Sequence, residues 1–101
     1  MIKHISDYQE FKNEVSEGLC LVDFYTTWCG PCKMLSPILE GIEEAHPELK
    51  LIKVDAEEAP ELSAEFRISA VPTLIKIRDG KVEEIRAGYM PEAMILRWLG
   101  L

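Results

Sequence analysis

The residues able to do covalent chemistry gather in one stretch. Cys29 and Cys32 stand in the run Trp28-Cys29-Gly30-Pro31-Cys32-Lys33, and Asp23 lies just ahead of it, inside the otherwise almost wholly apolar segment Leu19 to Tyr25. Two thiols at C-x-x-C spacing can close a disulfide or supply half of a zinc site. Zinc would need two further Cys or His ligands. Cys20 falls in the middle of an expected strand, and His4 and His46 fall in separate elements with no second paired motif, so the residues favour redox chemistry over a metal. That chemistry asks for a C-x-x-C that follows a buried strand and opens a helix, which is the setting of Cys29.

At such a helix start, free N–H groups and the helix dipole favour Cys29 as a thiolate. Cys32, three residues on, comes round to the same side of the first turn, within disulfide reach. Gly30 lets the chain turn into the helix and Pro31 pre-sets its φ there without wasting a donor. A more acidic thiol is also a weaker nucleophile, so the gain from a lowered pKa is only about threefold, and the remaining rate must come from positioning. Asp23, a carboxylate in an apolar strand, should have its pKa raised by desolvation.

The elements that must hold these residues follow from patterning. Lys3 to Ile5 reads as a short strand, and Ser6-Asp7-Tyr8-Gln9 fits a capping box that starts a helix carrying Tyr8, Phe11 and Val15 and stopping at Gly18. Leu19 to Tyr25 is the pattern of a central strand covered on both faces. Leu35, Ile38, Leu39, Ile42 and Ala45 make a helical stripe to about His46, with Pro37 expected to kink it. Leu49 to Asp55 is a second buried strand, followed by a short helix near Pro60 to Phe66, which implies parallel pairing with the first. Thr73 to Arg78 and Lys81 to Ala87 flank Asp79-Gly80, a hairpin signal, and Pro91 leads into a last helix, Met94 to Leu99, anchored by Trp98. The order is β-α-β-α-β-α-β-β-α, an α/β domain with a central mixed sheet flanked by helices.

With 101 residues, the chain suits a single domain over 1–101. Its 11 Lys and Arg against 18 Asp and Glu, a net charge of −7, disfavour nucleic acid and anionic membrane surfaces. The start, Met1 to Ile5, leads into charged sequence, and no stretch reaches the roughly 20 apolar residues of a membrane span, so a cytoplasmic location is expected. Three cysteines make an odd number, unlike the even sets of disulfide-stapled modules. Cys20, between Leu19 and Leu21, reads as a small buried hydrophobe.

Trp28-Cys29-Gly30-Pro31-Cys32-Lys33 preceded by Val22-Asp23-Phe24, with Val71-Pro72-Thr73 some way on and Gly88 after the hairpin, resembles the thioredoxin family over essentially the whole chain. The resemblance implies the thioredoxin fold and a thiol–disulfide oxidoreductase that reduces protein disulfides. By it, Cys29 is an exposed nucleophile, Cys32 the resolving thiol and Asp23 a buried proton acceptor for Cys32, with Lys53 as its electrostatic partner. Trp28 is the indole that packs beside the site, and with Gly30 and Pro31 of the motif it is implied to contact substrate. Pro72 matches a cis-proline that leaves the backbone of Val71 to pair with an extended substrate, and Gly88 a glycine that admits substrate backbone. Implied partners are disulfide-containing proteins and a thioredoxin reductase, with a monomeric carrier and neither cofactor nor metal. Tyr25 departs from the family, where Trp is common. A disulfide isomerase or oxidase is the alternative, disfavoured by Gly30-Pro31, and a non-catalytic binding module is the third. The apolar last helix leaves dimerisation open.

Overall fold

The computed structural model describes residues 2–101; Met1, included in the one-domain expectation, lies outside them. Nine elements follow in the expected order: β1 (Lys3–His4), α1 (Tyr8–Glu14), β2 (Leu19–Tyr25), α2 (Gly30–Ala45), β3 (Lys50–Asp55), α3 (Pro60–Glu65), β4 (Thr73–Arg78), β5 (Lys81–Ala87) and α4 (Glu92–Leu99). They build a five-stranded sheet in the order β1-β3-β2-β4-β5. β3 runs parallel to both β1 and β2, β4 runs antiparallel to β2, and β5 antiparallel to β4. The sheet is therefore mixed, with β2 at its centre.

Alternation along the strands divides the core in two. Cys20, Val22 and Phe24 of β2 face Phe11, Val15, Leu62 and Ile75 in one apolar cluster, with the Phe66 ring 5.7 Å from Phe11 and 5.8 Å from Phe24 between ring centres. Leu21 points the other way, into a cluster with Leu35, Leu39 and Ile42 of α2, Leu51 and Leu74 of the neighbouring strands, and Ile95, Trp98 and Leu99 of α4. Asp23 and Tyr25 share the face of Leu21, so they lie on the α2 side of the sheet.

The ends of the elements correct two expectations. The cap of α1 is Asp7, whose Oδ2 accepts the Glu10 N–H at 2.8 Å, in place of the Ser6–Gln9 box. The helix closes before Gly18, at Glu14 with Val15 as its C-cap, and the Ser16 hydroxyl donates to the Asn13 carbonyl at 2.8 Å. Gly18, at φ +80°, turns the chain into β2 and gives its N–H to Asp79 Oδ1 at 2.7 Å. The hairpin follows its sequence signal: Asp79 and Gly80 take φ values of +50° and +81°. α4 begins at Glu92, capped by Pro91, and buries Ile95, Trp98 and Leu99 while Met94 stays exposed. α2 continues through Pro37.

Candidate active site at the start of α2

The chain leaves β2 at Tyr25, and the Thr26 carbonyl accepts the Cys29 N–H at 3.5 Å, which folds the intervening loop back toward α2. Cys29 then caps α2: its sulfur accepts the Cys32 N–H at 3.2 Å. The cap of a 16-residue helix is a place where backbone donors and the dipole converge on one atom. Cys32 is joined to Cys29 in a disulfide with Cα atoms 5.3 Å apart, inside the span that a disulfide bridges without backbone movement.

Cys29 is less open than an exposed nucleophile, retaining 6% of its accessible surface. The disulfide partner covers one side of its sulfur, and the Val71 carbonyl oxygen lies 3.8 Å away on another. Trp28, next to Cys29 in the chain, is 68% exposed, with its indole N–H donating to Glu57 Oε1 at 3.3 Å, so it borders the site on the solvent side. Gly30 is the first residue of α2 without a positive φ, and a Cβ there would meet open space, so the turn does not itself require glycine. Pro31 is exposed in the first turn.

The Val71–Pro72 peptide is cis. Thr73 pairs with Phe24 on β2 and with Ala87 on β5, and Gly88 donates its N–H to the Pro72 carbonyl at 2.8 Å. Val71, Pro72 and Gly88 thus meet at the end of the sheet where Cys29 stands. Gly88, at φ +100°, holds a conformation that side-chain-bearing residues seldom adopt.

Asp23 has no solvent exposure, and neither carboxylate oxygen has a hydrogen-bond partner within the chain. Burial pushes its pKa from the ordinary 3.8 to about 6, and the positive charge of Lys53 pulls the other way. Lys53 is its register partner on β3. The Lys53 ammonium, however, donates to the Ser36 hydroxyl at 2.8 Å and sits 4.7 Å from the centre of the Tyr25 ring. A cleft of about 220 Å³ lined by Tyr25, Thr26, Cys32, Lys33, Ser36 and Lys53 runs beside this cluster. Ser36 and the Tyr25 ring were not among the expected site residues. Ser36 lies one turn beyond Cys32, and that spacing is the sequence signal for it.

Cys20 is fully buried and outside the disulfide, its thiol pKa raised chiefly by burial. Among the described residues no group of three or more His, Cys, Asp or Glu is placed to hold a metal ion, and no helix is long and apolar enough to cross a membrane.

The geometry agrees with three comparisons. A thioredoxin family profile matches residues 2–100. The chain is 47% identical over 93 residues to the thioredoxin of Listeria monocytogenes, covering 91% of this chain and 89% of that one. It is 41% identical over 85 residues to that of Bacillus subtilis, covering 83% and 82%. The crystal structure of oxidized mitochondrial thioredoxin 3 from Saccharomyces cerevisiae superposes with a TM-score of 0.90 at 33% identity, over 99% of this chain and 95% of that one. Together with a disulfide at Cys29–Cys32, these make the protein a thiol–disulfide oxidoreductase, a protein-disulfide reductase with a redox-active pair. By profile, identity and fold alike, the chain belongs to the thioredoxin family.

Proposed function

We propose that the protein is a monomeric cytoplasmic electron carrier, reduced by a thioredoxin reductase and passing two electrons to disulfides of several protein partners. In its dithiol form the Cys29 thiolate attacks one sulfur of a substrate disulfide. That bond breaks, the first substrate thiolate leaves and takes a proton, and a mixed disulfide joins Cys29 to the other sulfur. Cys32 then gives its proton to Asp23 and attacks Cys29 Sγ. The mixed bond breaks, the second substrate sulfur leaves as a thiolate and takes a proton from water, Asp23 returns its proton to solvent, and the Cys29–Cys32 disulfide remains.

The observation that carries this reading is the Cys32 N–H aimed at Cys29 Sγ at 3.2 Å, because a donor fixed on the sulfur favours the thiolate and keeps the resolving residue adjacent. A carboxyl with a pKa of about 6 is roughly nine-tenths ionised at neutral pH, yet basic enough to take a thiol proton, which suits Asp23 to the second step. Lys53 supplies the opposing charge. An extended substrate segment is received along Val71 and Pro72, with Gly88 admitting its backbone and Trp28, Gly30 and Pro31 forming the opposite wall. The 3.8 Å between the Val71 carbonyl and Cys29 Sγ supports this, since a segment paired with Val71 would run beside the sulfur. Burial of the apolar face of α4 against the sheet supports the monomer.

The test is trapping. Cys32→Ser should accumulate mixed disulfides through Cys29 when mixed with cell extract, and Cys29→Ser should accumulate none and lose insulin reduction with dithiothreitol. Equal insulin turbidity rates for Cys29→Ser and the parent protein would favour a scaffold and end the reading.

A further inference from the structure

In the sheet, Asp23 and Lys53 are partners on adjacent parallel strands and lie on the same face. Neighbouring strands are about 4.8 Å apart, so an ammonium and a carboxylate at such a pair would ordinarily close into an ion pair. Here they do not, since both carboxylate oxygens lack hydrogen-bond partners. The ammonium is held elsewhere. Ser36 Oγ accepts its proton at 2.8 Å, and the same hydroxyl donates to the Cys32 carbonyl at 3.4 Å, which ties the lysine to the first turn of α2. The Tyr25 ring closes the other side at 4.7 Å, a distance at which a cation is attracted to the aromatic face.

We infer that Ser36 is a positioning residue: it diverts the Lys53 ammonium from Asp23, so that the carboxylate stays unbonded and free to take the proton of Cys32. The inference rests on the reading of Asp23 as proton acceptor and adds to it a residue that acts through Lys53. An ammonium in direct contact would occupy the acceptor oxygens and, as the Coulomb energy grows with shorter distance, weaken the base. Held at Ser36, the same charge acts only across space. The hydroxyl therefore sets how much of the Lys53 field reaches the carboxylate.

Other charged and titratable groups surround this cluster. Lys53 and Asp55 come from β3, Tyr25 from the strand of Asp23 itself, His4 from β1, Glu58 from the turn before α3, and Cys32 and Lys33 from α2. β4 presents the apolar Leu74 opposite Asp23. Titrating the disulfide form removes the Cys32 thiol from the measurement.

The experiment follows the Asp23 carboxyl carbon by NMR as a function of pH in the oxidised parent protein, Ser36→Ala and Ser36→Thr. Release of a model disulfide substrate from the Cys29 mixed disulfide is timed in the same three proteins. Losing the tether should let the ammonium swing onto the carboxylate, so the Asp23 midpoint in Ser36→Ala should fall by about one pH unit. Substrate release above neutral pH should slow severalfold, and Ser36→Thr, which keeps the hydroxyl, should restore both values. An Asp23 midpoint that stays in place or rises in Ser36→Ala overturns the inference. Asp23→Asn, timed alongside, separates the two levels. If it slows release while Ser36→Ala titrates as the parent does, only the role of Ser36 falls; if release is indifferent to Asp23→Asn, the proton-acceptor reading itself falls, and the inference with it.

Discussion

The stability of an Asp23→Asn variant relative to the parent should rise with pH over the range in which the buried carboxyl becomes ionised. The native carboxyl has no exposure and no hydrogen-bond partner, and burial lifts its pKa from 3.8 to about 6. In the unfolded chain it returns to its ordinary value. Between these two values the native state holds a proton that the unfolded state has lost, so the unfolded state gains on the native state as pH rises. The penalty is absent below about pH 4, grows through pH 4 to 6 and is complete above it. A gap of about two pH units, at about 1.4 kcal/mol each, makes it about 3 kcal/mol. Urea unfolding of the oxidised parent and of Asp23→Asn at steps from about pH 3.5 to 8 reads it directly. The stability of Asn relative to Asp should climb by about 3 kcal/mol across that range and level off near neutrality, whatever fixed offset the buried amide adds. Lys53→Met, which removes the charge that lowers the carboxyl pKa, should carry the climb to higher pH and make it larger. Stability curves for parent and Asp23→Asn that run parallel from acid to neutral pH would refute the account of a desolvated carboxylate.

Asp79→Ala should cost about 2 kcal/mol in the same urea assay, since it removes the acceptor of the Gly18 N–H and leaves a Cβ-bearing apolar residue at φ +50°; Asp79→Gly should recover the backbone part only. Cys20 should resist alkylation in the folded, reduced protein and react once urea unfolds it, while Cys20→Ala should reduce insulin at the parent rate; rapid native labelling would show that its burial has been misjudged.

Most of the framework was legible in the residues because it depends on short-range rules. The hairpin strands Thr73–Arg78 and Lys81–Ala87 begin and end where Asp79-Gly80 places them, since a turn with two positive φ values admits few residue pairs. Leu19–Tyr25 is the central strand that its unbroken apolar run implies, with Asp23 as the buried exception. What was not legible depends on competition between groups brought together from afar. Ser6 with Gln9 fits the capping pattern, yet the oxygen that accepts a first-turn N–H belongs to Asp7, one residue on. The hydrogen bond from the Trp28 indole to Glu57 joins residues 29 positions apart, a pairing that no local pattern records. The Lys53–Ser36 bond needs both the β2–β3 register and the rotation of α2, neither of which spacing along the chain records.

The position of the site follows from the direction of the strands on either side of β2. β3 runs parallel to it, so both strands deliver their C-terminal residues to one edge of the sheet, Asp23 and Tyr25 from one and Lys53 and Asp55 from the other. β4 runs antiparallel, so it brings its beginning to that edge, and Thr73 opposite Phe24 fixes Val71 and Pro72 just beyond it. β5 returns to the same place because the tight hairpin sets Ala87 opposite Thr73, with Gly88 next. The redox pair at the start of α2 therefore lies at the edge to which β2 also brings the buried Asp23, with the Val71 backbone beside Cys29. Had β4 run parallel, Val71 would stand at the opposite edge and its carbonyl could not lie 3.8 Å from Cys29 Sγ. The antiparallel return of β4, as much as the Cys-Gly-Pro-Cys spacing, makes this edge of the sheet a place where disulfides can be exchanged.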